Sequence, residues 1–386
     1  MDVLATRVGM PSAMSFCVTL MRNLMARAIP STEIEPGTVA TEAGNPDLVV
    51  LSAQPFCAEA APPSLVARLT AGPGFFVRTN FNVPALDPST HTIDVGGAVA
   101  RALTLSVADL RGFGLTTIEA TLECAGNGRA TLDPPAPGEP WRVGAVSTAR
   151  WTGVPLARVL ERAGLLRSAC DILIEGADSG RPAEAGAPVH FARALPRAQA
   201  LAPETLLALE MNGRPLTPLH GAPVRLLVPG WYGMASVKWV ARIVALPEPY
   251  RGYFQTHRYI YVTPDSHAEP VQRMRVKSLI TNPLDGSTIG TGPAVVRGWA
   301  WSGNGVVARV EVAIGSGPWQ EARLLGQPER FAWRGFELEW RALPGCHTLR
   351  SRATDTSGAV QQDGVDPNRL GYGNNAIRRS TVEVLA

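Results

Sequence analysis

The sequence predicts an α+β protein in which a mixed α/β domain is followed by a C-terminal β-sandwich. Up to about residue 270, apolar runs bounded by glycine and proline, such as "CDILIEG" and "APVRLLVPG", alternate irregularly with helical segments. Beyond that point apolar and polar residues alternate in short runs, as in "ARVEVAIG", "FELEW" and "STVEVLA". The 38 glycines and 33 prolines also favour strands and turns over a helical protein.

Two helices are predicted in the first region. In "SVADLRGF", Ser106 and Asp109 have the spacing of a capping box. In "VPLARVLERAGLL", Gly164 is a stop signal after a run with one apolar face. That face consists of Leu156, Val159, Leu160 and Ala163.

The C-terminal strands are typical of an immunoglobulin-like sandwich. They are short and evenly spaced over roughly a hundred residues, and Val310, Val312 and Ile314 alternate with polar neighbours. Cys346 stands alone, so the buried disulfide of antibody domains is absent from the pattern. We therefore predict a leader or poorly ordered arm at 1–44, a first domain at 45–270 and the sandwich at 271–386.

Composition excludes several classes of protein. A formal charge of +3 without a dense Lys/Arg block does not favour a nucleic-acid or membrane-surface binder. The sequence contains no run of about 20 apolar residues, so no membrane span is predicted. The five cysteines contain no C-x-x-C pair, which argues against a zinc ribbon, a thioredoxin-type site and a c-type haem attachment. No twin-arginine signal is visible, so a cytoplasmic location is favoured over a periplasmic one.

The segment "CAGNGR" carries the strongest chemical signal. The thiolate of Cys124 would be a soft donor, suited to a transition metal or to nucleophilic attack. Gly126 and Gly128 allow a tight turn and the close approach of a bulky group. Arg129 adds a planar cation suited to an oxyanion. The alternative interpretation is a buried structural cysteine beside a glycine turn.

This segment resembles the C-A-G-N-R-R motif around the molybdenum-ligating cysteine of the sulfite oxidase family. Further blocks resemble that family in the same order, from about residue 48 to the C-terminus: "GFFVRTNFNVPALDP", "WRVGAVSTARWTGVPL", "LALEMNGRPLTPLHGAPVRLLVPGWYGMASVKWV" and "NPLDGSTIGTGPAVVRGWAWSGNG". The resemblance implies a molybdopterin domain followed by an immunoglobulin-like dimerisation domain, and hence a homodimer. It also implies a molybdenum–molybdopterin cofactor, with Cys124 as the protein ligand to the metal.

The resemblance implies a further set of cofactor-binding residues. The block "FFVRTN" corresponds to a family block ending F-V-R-N-H, from which Thr79 and Asn80 depart. The residues implied to contact the cofactor are Phe76, Val77, Arg78, Thr79, Asn80, Asp178, His220, Arg225, Ser236, Val237 and Lys238.

The resemblance also implies a substrate pocket for a small oxyanion. Arg78 and Arg129 match two arginines that would orient it through bidentate contacts, and Trp151 matches a wall residue. Tyr259 aligns with the active-site tyrosine of the family, and Arg369 corresponds approximately to a third arginine from the sandwich. Two other tyrosines leave the assignment of Tyr259 open: Tyr253 and Tyr261.

The expected activity is molybdenum-dependent oxidation of sulfite to sulfate. The sequence has no recognisable haem-binding segment, so we expect no haem on this chain and an external electron acceptor such as a cytochrome c. Gly128 replaces the usual second arginine, which would weaken anion attraction, broaden the substrate range, or have no effect if that arginine points elsewhere. Alternatives are a dehydrogenase for sulfane-type sulfur, nitrate reduction, which is disfavoured, and a cofactor-free immunoglobulin-like binding protein.

Overall fold

The computed structural model describes residues 32–33, 44–262, 268–366 and 368–386. Apart from residues 32–33 and 44, the predicted leader or arm at 1–44 lies outside the described residues. No helix in this part of the chain is long and apolar enough to cross a membrane.

In its described residues, the first region contains short strands, four short α-helices and six 3-10 helices. The strands are β1 Thr32–Glu33, β2 Leu48–Ala53, β3 Phe56–Ala60, β4 Val77–Arg78, β5 Pro84–Ala85, β6 Thr92–Gly97, β7 Leu103–Ser106, β8 Thr116–Glu123, β9 Val146–Pro155, β10 Asp171–Gly180, β11 Val189–Pro196, β12 Leu206–Met211, β13 Arg214–Pro215, β14 Arg225–Leu227, β15 Val240–Leu246, β16 Ile260–Val262 and β17 Ala268–Pro270. The α-helices are α1 Val107–Arg111, α2 Leu156–Ala163, α3 Arg197–Ala200 and α4 Tyr253–Thr256. The 3-10 helices are Pro62–Leu65, Gly72–Gly74, Arg129–Thr131, Ala183–Ala185, Pro218–His220 and Gly233–Ala235.

Both predicted helices are confirmed. Helix α1 begins after Ser106, whose side chain accepts a hydrogen bond from the Asp109 N–H while the Asp109 side chain caps the Ser106 N–H. Helix α2 buries the four predicted apolar residues and ends at Gly164, whose φ of 71° is left-handed.

Two sheets form the frame of the first region. One has the strand order β11-β10-β15-β6-β7, in which β15 and β6 are parallel and the other neighbours are antiparallel. The other has the order β13-β12-β9-β8, with β14 paired to β12. A smaller sheet has the order β2-β3-β4, and its strand β4 contains the last two residues of the "FFVR" block. The irregular order of strands matches the predicted mixed α+β fold.

The C-terminal region is a two-sheet sandwich, as predicted. Its strands are β18 Lys277–Asn282, β19 Ser287–Gly290, β20 Gly292–Trp301, β21 Val307–Ile314, β22 Gln320–Glu321, β23 Arg323–Leu324, β24 Arg334–Ala342, β25 Gly345–Asp355 and β26 Arg379–Leu385. The order is β18-β20-β24-β23 in one sheet and β19-β26-β25-β21-β22 in the other. Val310, Val312 and Phe336 are fully buried between them, because alternate residues of each strand face the core.

Candidate active site at the end of strand β8

Cys124 lies in a tight turn that follows strand β8. Its N–H donates to the Ala145 carbonyl over 2.8 Å, and its own carbonyl accepts from the Asn127 N–H over 2.9 Å. Gly128 has a φ of 92°, a left-handed conformation that glycine adopts without a steric penalty. The turn leaves the thiol almost buried, with 7% of the residue exposed, on the wall of a cavity.

This cavity is a cleft whose roughly 660 Å³ of empty space includes space open to solvent. It lies where the ends of β4, β8, β10 and β14 meet the turns that precede β15 and β16. It is lined by Phe75, Phe76, Val77, Arg78, Thr79, Asn80, Leu122, Cys124, Ala125, Asp178, Phe191, Leu219, His220, Arg225, Gly233, Met234, Ser236, Lys238, Trp239 and Tyr259. Most of the residues predicted for the cofactor are therefore brought together.

Opposing influences act on the Cys124 thiol. Burial raises its pKa above the ordinary value of a cysteine, because the thiolate loses solvation. The positive charges of Arg78 and Arg129 and a hydrogen bond from the Gly126 N–H act in the opposite direction. The net shift of the Cys124 pKa is upward. A metal cation bound at the sulfur would counteract this shift, because it favours the deprotonated form.

Arg78, Asn80 and Tyr259 form a hydrogen-bonded group on the cavity wall. Arg78 Nη2 donates to Asn80 Oδ1 over 3.0 Å, and the Tyr259 hydroxyl donates to the same oxygen over 3.1 Å. Tyr253 donates instead to Glu184 over 2.9 Å, away from the cavity, and Tyr261 lies beneath the Arg275 guanidinium. Of the three tyrosines considered, Tyr259 is the one that lines the cavity.

Four further ionisable groups line the cavity, and burial dominates the pKa shift of each of them. It raises the pKa of Asp178 and lowers that of Lys238, whose Nζ donates to the Leu219 carbonyl over 2.9 Å. It lowers the pKa of His220 to about 3, so this imidazole is neutral at pH 7. It lowers the pKa of Arg225 to about 9.

Several predicted residues support the wall rather than offer a free side chain. The Thr79 hydroxyl donates to the Phe56 carbonyl over 2.8 Å, and the Ser236 hydroxyl accepts from the Val228 N–H over 3.1 Å. Val237 is fully buried, and its carbonyl accepts from the Leu226 N–H. It does not line the cavity. The prediction that Val237 touches the cofactor does not match this position.

Three residues predicted for substrate binding do not line the cavity. Trp151 is buried in β9 behind the wall, where its indole lies 5.0 Å beneath the Arg225 guanidinium. Arg129 is buried and donates to two backbone carbonyls, those of Glu139 and Leu370, over 3.0 and 3.1 Å. Arg369 lies in an exposed turn, because the adjacent Leu370 occupies the buried position.

The position of Gly128 answers a question that its sequence left open. A Cβ atom at this residue would lie 3.1 Å from Asn374 Nδ2, on the side of the turn that faces the sandwich. Gly128 lines a separate cleft there, together with Thr131, Lys277 and Asn374, and does not line the Cys124 cavity. A side chain at 128 would therefore start in a direction away from that cavity.

Tyr372 is a contact that the sequence did not predict. It comes from the sandwich region, and its buried ring stacks on Tyr259 at 5.3 Å between centroids. The Arg129 guanidinium lies 5.1 Å above the same ring. The segment "GYGNN" has no pattern that signals this role, because the contact joins residues more than a hundred positions apart.

A buried ion pair lies directly behind Cys124 and was also missed. Lys277 Nζ lies 2.9 Å from Glu123 Oε1, and donates to the carbonyls of Asn127 and Asn374 over 3.2 and 2.7 Å. Trp301 Nε1 donates to the second Glu123 oxygen over 2.9 Å. The sandwich thus fixes the turn that carries the thiol.

The residues of the cavity fit a polar organic cofactor that brings its own metal ligands. Asp178 Oδ1 and Arg225 Nε are buried without a hydrogen-bond partner, and both belong to residues that line the cavity. A bound ligand could donate to the Asp178 oxygen and accept from the Arg225 N–H. Among the described residues, no three His, Cys, Asp or Glu side chains converge as a metal site. Cys124 as single protein ligand therefore requires further ligands from the bound group.

Comparison with known proteins identifies such a group. The family model for the oxidoreductase molybdopterin-binding domain matches residues 80–254, and the model for the Mo-co oxidoreductase dimerisation domain matches residues 268–384. The mitochondrial sulfite oxidase of Homo sapiens is 38% identical, covering 93% of this chain and 70% of that protein. An NAD(P)H nitrate reductase of Hordeum vulgare is 31% identical over 88% of this chain and 42% of its own length.

A solved structure agrees with these matches. The sulfane dehydrogenase SoxCD from Paracoccus pantotrophus superposes with a TM-score of 0.76 and 30% identity, covering 86% of this chain and 87% of that one. The two matched domains follow one another in the order that the sequence blocks predicted, and Cys124, whose thiol lines the cavity, lies in the first of them. This chain is a molybdopterin-dependent oxidoreductase and belongs to the sulfite oxidase family.

Proposed function

We propose that this protein oxidises sulfite to sulfate and passes the electrons to an external acceptor. The observation that carries the proposal is that the Cys124 thiol, the Arg78 guanidinium and the Tyr259 hydroxyl line the same cavity, with Arg78 and Tyr259 joined through Asn80. The similarity to sulfite oxidases at 38% identity supports the choice of substrate. The net reaction consumes sulfite and water and yields sulfate, two protons and two electrons.

The residues divide between cofactor and substrate. When bound, the molybdenum cofactor supplies the two-electron redox chemistry and the oxygen transfer. Cys124 would hold the metal through its thiolate, and Asp178, Arg225 and Lys238 would hold the polar part of the pterin. His220 stays neutral and can serve as a hydrogen-bonding group without adding charge.

Arg78 would bind the oxyanion. Its guanidinium keeps its positive charge at every working pH and lines the same cavity as Cys124. The Tyr259 hydroxyl would lie beside the anion, held there by the hydrogen bond that it donates to Asn80. Arg129 would contribute charge from behind the turn, since its Nη1 and Nη2 groups donate to backbone carbonyls.

Sulfite-dependent reduction of ferricyanide tests the proposal. The protein would be produced in a host that makes molybdopterin, alongside Cys124→Ser and, as a matched control, Cys346→Ser at an exposed position. Turnover that persists in the control and disappears with Cys124→Ser supports the proposal. Molybdenum-loaded protein that does not turn over sulfite would contradict it.

A second candidate is a dehydrogenase for sulfane-type sulfur, with an external electron acceptor as well. The similarity to SoxCD over 86% of the chain favours it. The same assay with thiosulfate in place of sulfite separates the two: a kcat/KM higher for thiosulfate would favour this candidate. We further propose a homodimer formed through the region that matches the dimerisation domain.

A further inference from the structure

One oxygen atom joins the cation and the phenol of the cavity. Asn80 Oδ1 accepts from Arg78 Nη2 over 3.0 Å and from the Tyr259 hydroxyl over 3.1 Å. Arg78 and Tyr259 are 181 positions apart in the chain and lie on different elements, β4 and the turn before β16. The carboxamide of Asn80 is therefore the bridge that links these two elements at the cavity.

The inner edge of the Arg78 guanidinium is already fixed. Its Nη1 lies 3.4 Å from Cys57 Sγ and also donates to the Thr79 carbonyl. Cys57 is fully buried, and its own thiol donates to that carbonyl over 3.7 Å. Asn80 holds the other edge, so the orientation of the guanidinium depends on this side chain.

Tyr259 is held just as firmly in an unfavourable backbone conformation. Its φ of 52° is uncommon for an aromatic residue and persists only where the surroundings impose it. Its ring packs against Phe191 and Tyr372 at 6.3 and 5.3 Å between centroids. With the ring fixed, the hydrogen bond to Asn80 determines where the hydroxyl hydrogen points.

The chemical type of residue 80 matters for this bridge. A carboxamide oxygen has two lone pairs and accepts two hydrogen bonds at once, whereas an imidazole nitrogen has one lone pair. The histidine usual in the resembling family block would therefore accept from Arg78 or from Tyr259, but not from both through one atom. The carboxamide also adds no charge beside the Arg78 cation.

We infer that Asn80 is a positioning residue that sets the separation of the Arg78 guanidinium from the Tyr259 hydroxyl and thereby the affinity of the site for an oxyanion. This inference rests on the proposed function. Removing the bridge frees both groups, so anion binding weakens more than the chemical step. This role is separate from the predicted contact of Asn80 with the cofactor, because it acts through the hydrogen bonds from Arg78 and Tyr259.

The test compares Asn80→Ala, Asn80→Asp and Tyr259→Phe with the control Asn82→Ala, which loses only an exposed contact with Gln54. The readouts are kcat and KM for sulfite, the dissociation constant of sulfate measured by calorimetry, and the molybdenum content. For Asn80→Ala we expect KM and the sulfate dissociation constant to rise about tenfold, with unchanged molybdenum content. Asn80→Asp keeps an oxygen that can accept both hydrogen bonds but adds a negative charge. We therefore expect KM and the sulfate dissociation constant to rise at least as much as in Asn80→Ala.

A double-mutant cycle distinguishes positioning from general damage. Asn80→Ala combined with Tyr259→Phe should raise KM less than the product of the two single effects, because both remove the same hydrogen bond. Three outcomes would overturn the inference. The first is that the two single effects on KM multiply, and the second is that Asn80→Ala leaves KM and sulfate affinity unchanged. The third is a loss of molybdenum that parallels the loss of activity. Wild-type protein that binds sulfate but does not oxidise sulfite would contradict only the proposed function; one that does neither would overturn both.

Discussion

Lys277 Nζ lies 2.9 Å from Glu123 Oε1 at a buried junction where the sandwich meets strand β8, with the two side chains 10% and 1% exposed. The residue after Glu123 is Cys124, so a cation from the C-terminal region holds the strand end that presents the thiol. Burying this pair is costly for each ion alone, and the junction is stable because both are present together with carbonyl partners.

Lys277→Met should destabilise the protein by about 3–5 kcal/mol, because it leaves the Glu123 carboxylate buried and unpaired. Guanidinium-induced unfolding of wild type and variant measures this difference. The double variant Glu123→Gln with Lys277→Met should recover part of the loss, since no charge is then buried. A Lys277→Met variant within 1 kcal/mol of wild type would contradict the importance of the pair.

His220 should make the apoprotein less stable as the pH falls. Burial lowers the pKa of this imidazole to about 3 in the folded state, against an ordinary value of 6.5. Between these values the unfolded chain binds a proton that the folded chain does not, so stability is lost as pH falls from 6.5 towards 3. The slope from this residue is at most about 1.4 kcal/mol per pH unit.

Denaturant unfolding at pH 7 and pH 5 isolates this contribution by comparison with His220→Gln. The variant removes the titrating group, so its free energy of unfolding should fall less between the two pH values than that of wild type. Equal changes in both proteins would show that His220 is not buried in its neutral form.

Gly128 should affect stability more than catalysis. Its φ of 92° is left-handed, so Gly128→Ala should cost about 1–2 kcal/mol. A side chain there would start towards Asn374 and away from the Cys124 cavity, so KM for sulfite should stay within about twofold of wild type. Steady-state kinetics and thermal unfolding of Gly128→Ala and Gly128→Arg measure both effects. A large fall in KM for Gly128→Arg would mean that the arginine reaches the anion.

Tyr372 should support catalysis through Arg129 and Tyr259. Replacing its ring with leucine removes the surface on which the guanidinium and the phenol rest, and we expect kcat/KM for sulfite to fall about tenfold. Tyr372→Phe keeps the ring and should stay within about twofold of wild type. If both variants behave alike, the aromatic contacts are not the reason for any loss.

Local patterns predicted much of the fold. The capping box of α1, the apolar face of α2 and the alternation in β21, β24 and β26 follow from interactions within a few residues of the chain. The cavity residues were found by resemblance, and most of them line one cavity. Trp151, Val237 and Arg369 matched sequence blocks but lie behind or outside the wall, because a block does not specify which way each side chain points.

The sequence alone determined the fold class and the family, since these depend on periodicity and on motifs in a fixed order, and it predicted Cys124 among five cysteines as the metal ligand. The tertiary structure decided which groups meet. The bridge at Asn80 Oδ1, the support of Arg129 by Tyr372 and the ion pair between Glu123 and Lys277 each join residues from distant parts of the chain. Such contacts depend on packing geometry and burial, which no local pattern encodes.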